Sequence, residues 1–248
     1  MPNFCLILPK LWFCWSGFFG MILLRYFLTA GGAYWFCYSV VRKPLIRGSW
    51  QQNLVMLPLI RQDIELSVLS AAVFALGAVA TVLGYESGAT LLYVSLHEYG
   101  LWYVGVSFVA VLLLQDAYFY FAHRAFHHPK LFRWLHHGHH RSRQPTPWTS
   151  FAFDLPEALV HALFLVGVVF LIPLHWITLI AILMTMTIWA TITHLGFELF
   201  GRSKVSQWLG RWLIGSTHHS LHHRKYRVHY GLYFTFWDKL LGTQAADY

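Results

Sequence analysis

Apolar and polar positions fall in long blocks along this chain. An apolar stretch runs to about Val41, broken by Arg25, and is followed by a polar, basic segment over residues 42–62. Further apolar blocks cover 65–84, 101–122, 156–174 and 176–196, the last two joined through Pro173 and His175; from Phe197 onward the chain is polar, basic and His-rich. Several blocks approach the roughly 20 apolar residues that cross a bilayer as a helix. The pattern predicts an all-α, polytopic membrane bundle of four to five spans, one domain over 1–248, with a tight hairpin at 173–175. The first block is expected to be a retained span, since it is long and lacks a small-residue cleavage pattern.

Composition supports this reading: 57% of residues are hydrophobic, 11% are charged and the mean hydropathy is +0.49. The net charge of +8 does not point to nucleic acid, because the basic residues form no stripe interleaved with stacking aromatics. They mark topology instead. Four Lys or Arg lie in 42–64, five in 122–155 and seven in 197–248, together 16 of the 18. By the positive-inside rule these segments are cytoplasmic, in a bacterial inner membrane or the endoplasmic reticulum. Arg25 is expected to snorkel or to pair inside the bundle, with a direct role as the alternative. Cys5, Cys14 and Cys37 lack metal or disulfide spacing and read as packing residues. In 202–215, Val205, Trp208, Leu209, Trp212 and Leu213 segregate from Lys204, Gln207 and Arg211, the pattern of an interfacial helix or of one packed on the cap.

The candidate chemistry is histidine. Seven of the 18 residues in 123–140 are His, and neutral imidazole can give one nitrogen to a metal and the other to an orienting hydrogen bond. His123 and His127 are four apart; His136, His139 and His140 fall at i, i+3 and i+4, and His219, His222 and His223 repeat that spacing. On a helix each set shares a face. The predicted topology brings these three sets, and His194 at the end of the last span, to the cytoplasmic side. Nine donors exceed one tetrahedral ion and suit two ions with positions left open. His97, His161, His175 and His229 read as packing residues. His128, His137 and His218 adjoin candidate donors, and His128 could replace His127 if the helix frays before Pro129. Asp116 and Tyr120, seven and three residues before His123, could orient a ligand imidazole; an acid pairing with Arg124 or Arg25 is the alternative for Asp116. HExxH, GxGxxG and CxxCH are absent. An all-imidazole metal pair beside apolar spans suggests O2 activation and oxidation of an unactivated C–H bond in a lipid. A His-rich membrane protein that binds or transports metal without oxidase activity is the rival; it would place donors near mid-membrane in broken helices.

The motifs HRAFHH, HHGHH and HHSLHH resemble the three His boxes of the membrane-bound fatty acid hydroxylase and sterol desaturase superfamily. The resemblance extends from about Trp50 to the C-terminus through DAYFYFAHR, HPKLFRWLHHGHH, PTPWTSFAFD and YGLYFTFWDKLLGT. PTPWTS and THHSLHH look most like the sterol C5-desaturase (lathosterol oxidase) branch. It implies a helical membrane enzyme with a cytoplasmic cap and two iron ions, for which zinc can substitute in purified protein. The implied ligands are His123, His127, His136, His139, His140, His194, His219, His222 and His223. O2 would be co-substrate, and a cytochrome b5-like or ferredoxin-like donor would supply electrons. One departure stands out: where many relatives read FHPLE, this chain reads FDLPE, with Asp154 in place of His and Glu157 kept.

Overall fold

The computed structural model describes residues 4–41, 52–198 and 204–246. The basic Arg42, Lys43, Arg47 and Arg202, used above for topology, lie outside the described residues, as do the side chains of Cys5 and Gln207.

Helix α1 (Phe4–Tyr26) continues through wider turns to Val41. α2 (Gln52–Glu86) and α3 (Leu101–Phe126) follow, then short α4 (Pro129–Leu135), α5 (Leu155–Leu171), α6 (Trp176–Thr193), and short α7 (Lys204–Gly210), α8 (Ser216–Lys225) and α9 (Phe236–Leu240). Among the described residues, four helical stretches are long and apolar enough to cross a membrane: Pro9–Trp35, Leu57–Glu86, Leu101–Phe126 and Trp176–Thr193. α5 has 17 residues, about 26 Å at 1.5 Å per residue, slightly short of a hydrocarbon core of about 30 Å. Outward-facing Leu69, Leu76, Val109, Leu113, Ile180 and Ile188 are exposed, an apolar surface suited to lipid.

Local chemistry sets the helix boundaries. Gly100, at φ +78°, turns the chain into α3. The hairpin expected at 173–175 is present: β2 (Leu174–His175) pairs in parallel with β1 (Leu92–Tyr93), and the Nδ1 of His175 accepts from the Ile177 N–H to cap α6. Its Nε2 lies 2.6 Å from the Val94 carbonyl, so both nitrogens of this His serve the fold.

Two apolar cores frame the site. One joins Ile22, Tyr26 and Ala30 to Ala71, Phe74 and Ala75 of α2 and to Phe151 and Phe153 in the loop before α5. The other packs Val111, Val168, Val169, Leu174, Leu179 and Ile182. The loop over 142–153 is pinned to α2: the carboxylate of buried Asp63 accepts from the hydroxyls of Ser142 (2.9 Å) and Thr149 (2.7 Å), and the Tyr26 hydroxyl donates to the Trp148 carbonyl. The guanidinium carbon of Arg25 lies 5.8 Å from the Phe151 ring centre, and its Nε has no hydrogen-bond partner among the described residues. Cys14 and Cys37 are free thiols, the latter buried. In the 202–215 segment Val205, Trp208 and Trp212 are exposed while Ile214 is buried. Its C-terminal end packs onto the fold.

Candidate metal centre

The nine candidate histidines come together in two groups. The first is His123, His127, His136, His140 and His222; the second is His139, His194, His219 and His223. Within each group one nitrogen per residue lies within 4.8 Å of all the others. His123 and His127 come from the end of α3, His194 from the end of α6, and His219, His222 and His223 from α8.

The second box is not on a helix, as its spacing had predicted. α4 ends at Leu135 with His136 as its cap, and a single tight turn carries His139 and His140. Gly138 permits this: the Asp154 carboxylate accepts from its N–H at 2.7 Å, and a Cβ there would lie 2.9 Å from Asp154 Cγ. The boxes also do not each serve one group. The i, i+4 pairs (His123 with His127, His136 with His140, His219 with His223) stay together, while the i+3 members, His139 and His222, cross to the opposite group. On α8 this follows from geometry, since residues four apart are displaced by about 40° around the helix and the i+3 position lies about 100° from i+4.

Backbone carbonyls set the tautomers. A carbonyl can only accept, so the Nδ1 of His123 donates to Tyr230 O (3.0 Å), that of His222 to Val228 O (2.7 Å), that of His139 to Ala152 O (3.2 Å) and that of His194 to Ala190 O (2.6 Å). Each neutral ring is left with a lone pair on Nε2. The Nδ1 of His136 lies 2.8 Å from Glu157 Oε1, although the ring N–H is not aligned for a linear bond; this contact likewise favours the proton on Nδ1.

The lone pairs then point at one another. Nε2 of His123 lies 3.0 Å from Nε2 of His136, and Nε2 of His139 lies 3.4 Å from that of His194. Around these, His140 Nε2 is 3.1 Å from both His127 Nε2 and His222 Nε2, and His219 Nε2 is 2.9 Å from His194 and 3.0 Å from His223. Acceptors facing acceptors at hydrogen-bond distance repel unless a cation sits between them. Metal–nitrogen bonds of about 2.0–2.1 Å put neighbouring donors roughly 2.9–3.4 Å apart at octahedral to tetrahedral angles. The donor set fits two transition-metal ions.

Burial keeps these rings neutral, as ligation requires. Desolvation lowers His127 and His139 to about 4 and His194 to about 3, and pushes His136, His140, His219, His222 and His223 well below their ordinary value; for the last five, neighbouring imidazoles push the same way.

The surrounding candidates divide. Glu157 and Asp154 touch the site, as described. Asp116 does not: its Oδ1 accepts from the backbone N–H groups of Tyr233 (2.7 Å) and Phe234 (3.1 Å), and pairs with neither Arg25 nor Arg124. The Tyr120 hydroxyl meets Thr243 Oγ1 at 2.8 Å rather than a ligand ring. His128 is exposed, and its Nδ1 accepts from the Lys130 N–H to cap α4; His127 is therefore the group member. His218 accepts from the Gly215 N–H at the start of α8 and packs 4.9 Å from His229. His137 and His97 are exposed, and His161 is buried beside Glu157.

Reading by spacing missed the second layer. Asp238 accepts from the N–H groups of Tyr230 and Gly231, fixing the turn whose carbonyls orient His123 and His222. Asp116 holds Tyr233 and Phe234 just beyond that turn, and Asp63 holds the loop leading to Ala152. Asp63 carried no signal of its own, lying between Arg61 and Glu65 at the edge of the apolar block. The carbonyls carried none, since every residue has one.

Apolar helices of membrane length whose ends converge on two all-imidazole groups define a helical membrane-type metalloprotein. The family profile described as Fatty acid hydroxylase matches residues 108–243, more than half of the 248 residues, and the chain belongs to that family. It is 30% identical over 187 residues to a Delta(7)-sterol 5(6)-desaturase of Gibberella zeae, covering 75% of this chain and 56% of that one. It is 31% identical over 186 residues to lathosterol oxidase of Homo sapiens, covering 74% and 60%, and 27% identical over 207 residues to a Delta(7)-sterol 5(6)-desaturase of Aspergillus fumigatus, covering 75% and 63%. The chain thus spans less than two thirds of the length of these curated relatives. No solved structure matches.

Proposed function

We propose that this protein is an O2-dependent, non-haem di-iron oxidoreductase that hydroxylates or desaturates an unactivated C–H site in a membrane lipid, a sterol or a fatty acyl chain. The observation that carries it is the convergence of imidazole lone pairs in two adjoining groups. Two iron ions bound there supply the redox chemistry that activates O2, given electrons from a separate cytochrome b5-like or ferredoxin-like protein; zinc is expected as a substitute in purified material. The sterol names of the relatives and the PTPWTS and THHSLHH motifs favour the sterol C5-desaturase branch.

The chain's own residues bind, orient and exclude. The Tyr230, Val228, Ala152 and Ala190 carbonyls hold four rings with Nε2 inward, and Glu157 holds a fifth. A narrow chamber lined by Phe119, Phe153, Ala190 and Leu232 adjoins His123, His136, His139, His194 and His219, so an apolar chain lying in it presents a carbon to the donors with bulk water kept out. In hydroxylation one oxygen atom enters the product and the other leaves as water; in desaturation two hydrogens are removed and both oxygens leave as water. Each route takes two electrons from the donor protein. The positive-inside count puts the centre on the cytoplasmic side of a multi-pass protein.

The metal-transport rival is disfavoured because the donors sit at the ends of α3 and α6 and in the segments beyond them, not in mid-membrane breaks. Mass spectrometry of lipids from cells with the protein, without it and with His139→Ala tests the reading. A lipid product specific to the unaltered protein is expected; identical profiles in all three, from a protein that retains two ions, would favour the rival.

A further inference from the structure

The chamber beside the histidines does not end there. A second chamber reaches inward along α3, and Phe119, Ser150, Phe153, Ala190 and Leu232 line both. Its walls are apolar, with Phe151, Phe164 and Met186 among them; two of its polar side chains are committed, while the Nε2 of buried His161 has no hydrogen-bond partner among the described residues and lies 3.7 Å from Glu157. The Tyr118 hydroxyl donates to the Val160 carbonyl (2.8 Å) and the Ser150 hydroxyl to the Pro147 carbonyl (2.7 Å).

Gln115 differs. It is buried, 6% exposed, and its amide orientation is fixed from both sides: the Tyr233 hydroxyl donates to Oε1 at 2.9 Å, while Nε2 faces the Met186 thioether at 3.0 Å. Sulfur has no proton to give, so the NH2 must face it, and a thioether is only a weak acceptor. An amide donor in an apolar chamber with so poor a partner gains by meeting a ligand oxygen. Met186, unbranched and adaptable, is the kind of side chain that can yield that place.

Resting on the proposed lipid oxidation, we infer that Gln115 is a specificity-determining residue that reads a hydroxyl, carbonyl or ether oxygen on the substrate, remote from the carbon that is oxidised. Gln115 precedes His123 by eight residues on one helix, a separation of about 12 Å along the axis. An extended backbone advances about 3.5 Å per three bonds, so the oxygen and the oxidised carbon are separated by roughly ten bonds. A long-chain oxygenated amphiphile meets this requirement. A ring alcohol oxidised a few bonds from its own hydroxyl does not, so this inference rests on the general lipid reading and parts from the sterol C5-desaturase branch.

The test is the binding of radiolabelled 1-dodecanol and dodecane to detergent-purified, metal-loaded protein, each corrected for partition into detergent. The unaltered protein is expected to prefer the alcohol by roughly three- to tenfold, the worth of one neutral hydrogen bond. Gln115→Leu should bring the ratio to about one with dodecane still bound; Gln115→Met, closer in shape, serves the same purpose if the first variant does not fold. No preference in the unaltered protein, the same preference in the variants, or no binding of either probe would overturn the inference. A clear preference lost in the variants, without any oxidised lipid in cells, would instead count against the oxidase reading.

Discussion

The two histidine groups are built from the same side chain but held differently. The first has five donors, a carboxyl anchor on one of them through Glu157, which burial pushes well above the usual carboxylate range, and one ring, His127, that is only half-buried. The second has four donors, all buried, and its two anchored rings lean on the neutral carbonyls of Ala152 and Ala190. A carboxylate behind an imidazole raises its basicity and strengthens its hold on a cation. The first group is therefore expected to bind more tightly yet exchange through an accessible edge, and the second to bind less tightly behind a closed wall. Rings from both adjoin the apolar chamber, so neither is remote from the proposed substrate.

The strongest way to break this comparison is to remove one donor from each group. His222→Ala and His219→Ala should each cost about one of two bound ions, read by metal analysis of purified protein, and lower lipid oxidation at least about 100-fold. If either change empties both positions equally, the groups do not act as separate sites. Glu157→Gln keeps the shape and replaces the carboxyl behind His136, the group a bound cation would draw into its charged form, with an amide. Chelator competition should then show the first position weakened by about 10- to 100-fold and the second unchanged; equal weakening at both would mean that Glu157 acts on the fold rather than on one ring.

Acid sharpens the comparison from another side. His127 and His139 titrate at about 4 and His194 at about 3 in the folded chain, against about 6.5 when unfolded, chiefly because burial disfavours the charged ring. With folded values depressed, the unfolded chain binds more protons between those limits. The contribution to stability is thus complete above about pH 6.5 and is lost as pH falls toward 4 and then 3. Metal-free protein should show a melting temperature that declines through this window, and metal-loaded protein a decline at least as large, because protons compete with the ions for the same lone pairs. A flat profile for the metal-free protein would contradict the burial of neutral rings.

What the sequence revealed follows from what has a periodic signature. The apolar blocks marked the membrane-length helices because burial or lipid contact must be continuous over about 20 residues. The His spacing picked out eight of the nine converging rings, and the position of His194 at the end of the last apolar block supplied the ninth. Spacing could not show that His139 and His222 cross to the opposite group, since that depends on how the turn at Gly138 and helix α8 are docked. It also misplaced Asp116 and Tyr120. Both lie near the His123 face of α3, but the partners that claim them, the Tyr233 and Phe234 amides and Thr243, come from a segment more than 100 residues away. The clamps at Asp63 and Asp238 are long-range or backbone-mediated for the same reason.

The smallest expected effect separates two adjacent histidines. His127 turns its Nε2 to His140 in the first group, whereas His128 points out and caps α4 through the Lys130 N–H. Pro129 at the first position of that helix has no N–H to be satisfied, so the cap's one task is the next amide. Losing it costs about 0.5–1 kcal/mol at an exposed helix start. His128→Ala should accordingly lower the melting temperature slightly and leave both ions and the lipid product in place, while His127→Ala lowers metal content with little change in the helix. If the two variants exchanged these outcomes, the chain would leave α3 by a different turn, with His128 carried into the first group and the cap of α4 supplied from elsewhere.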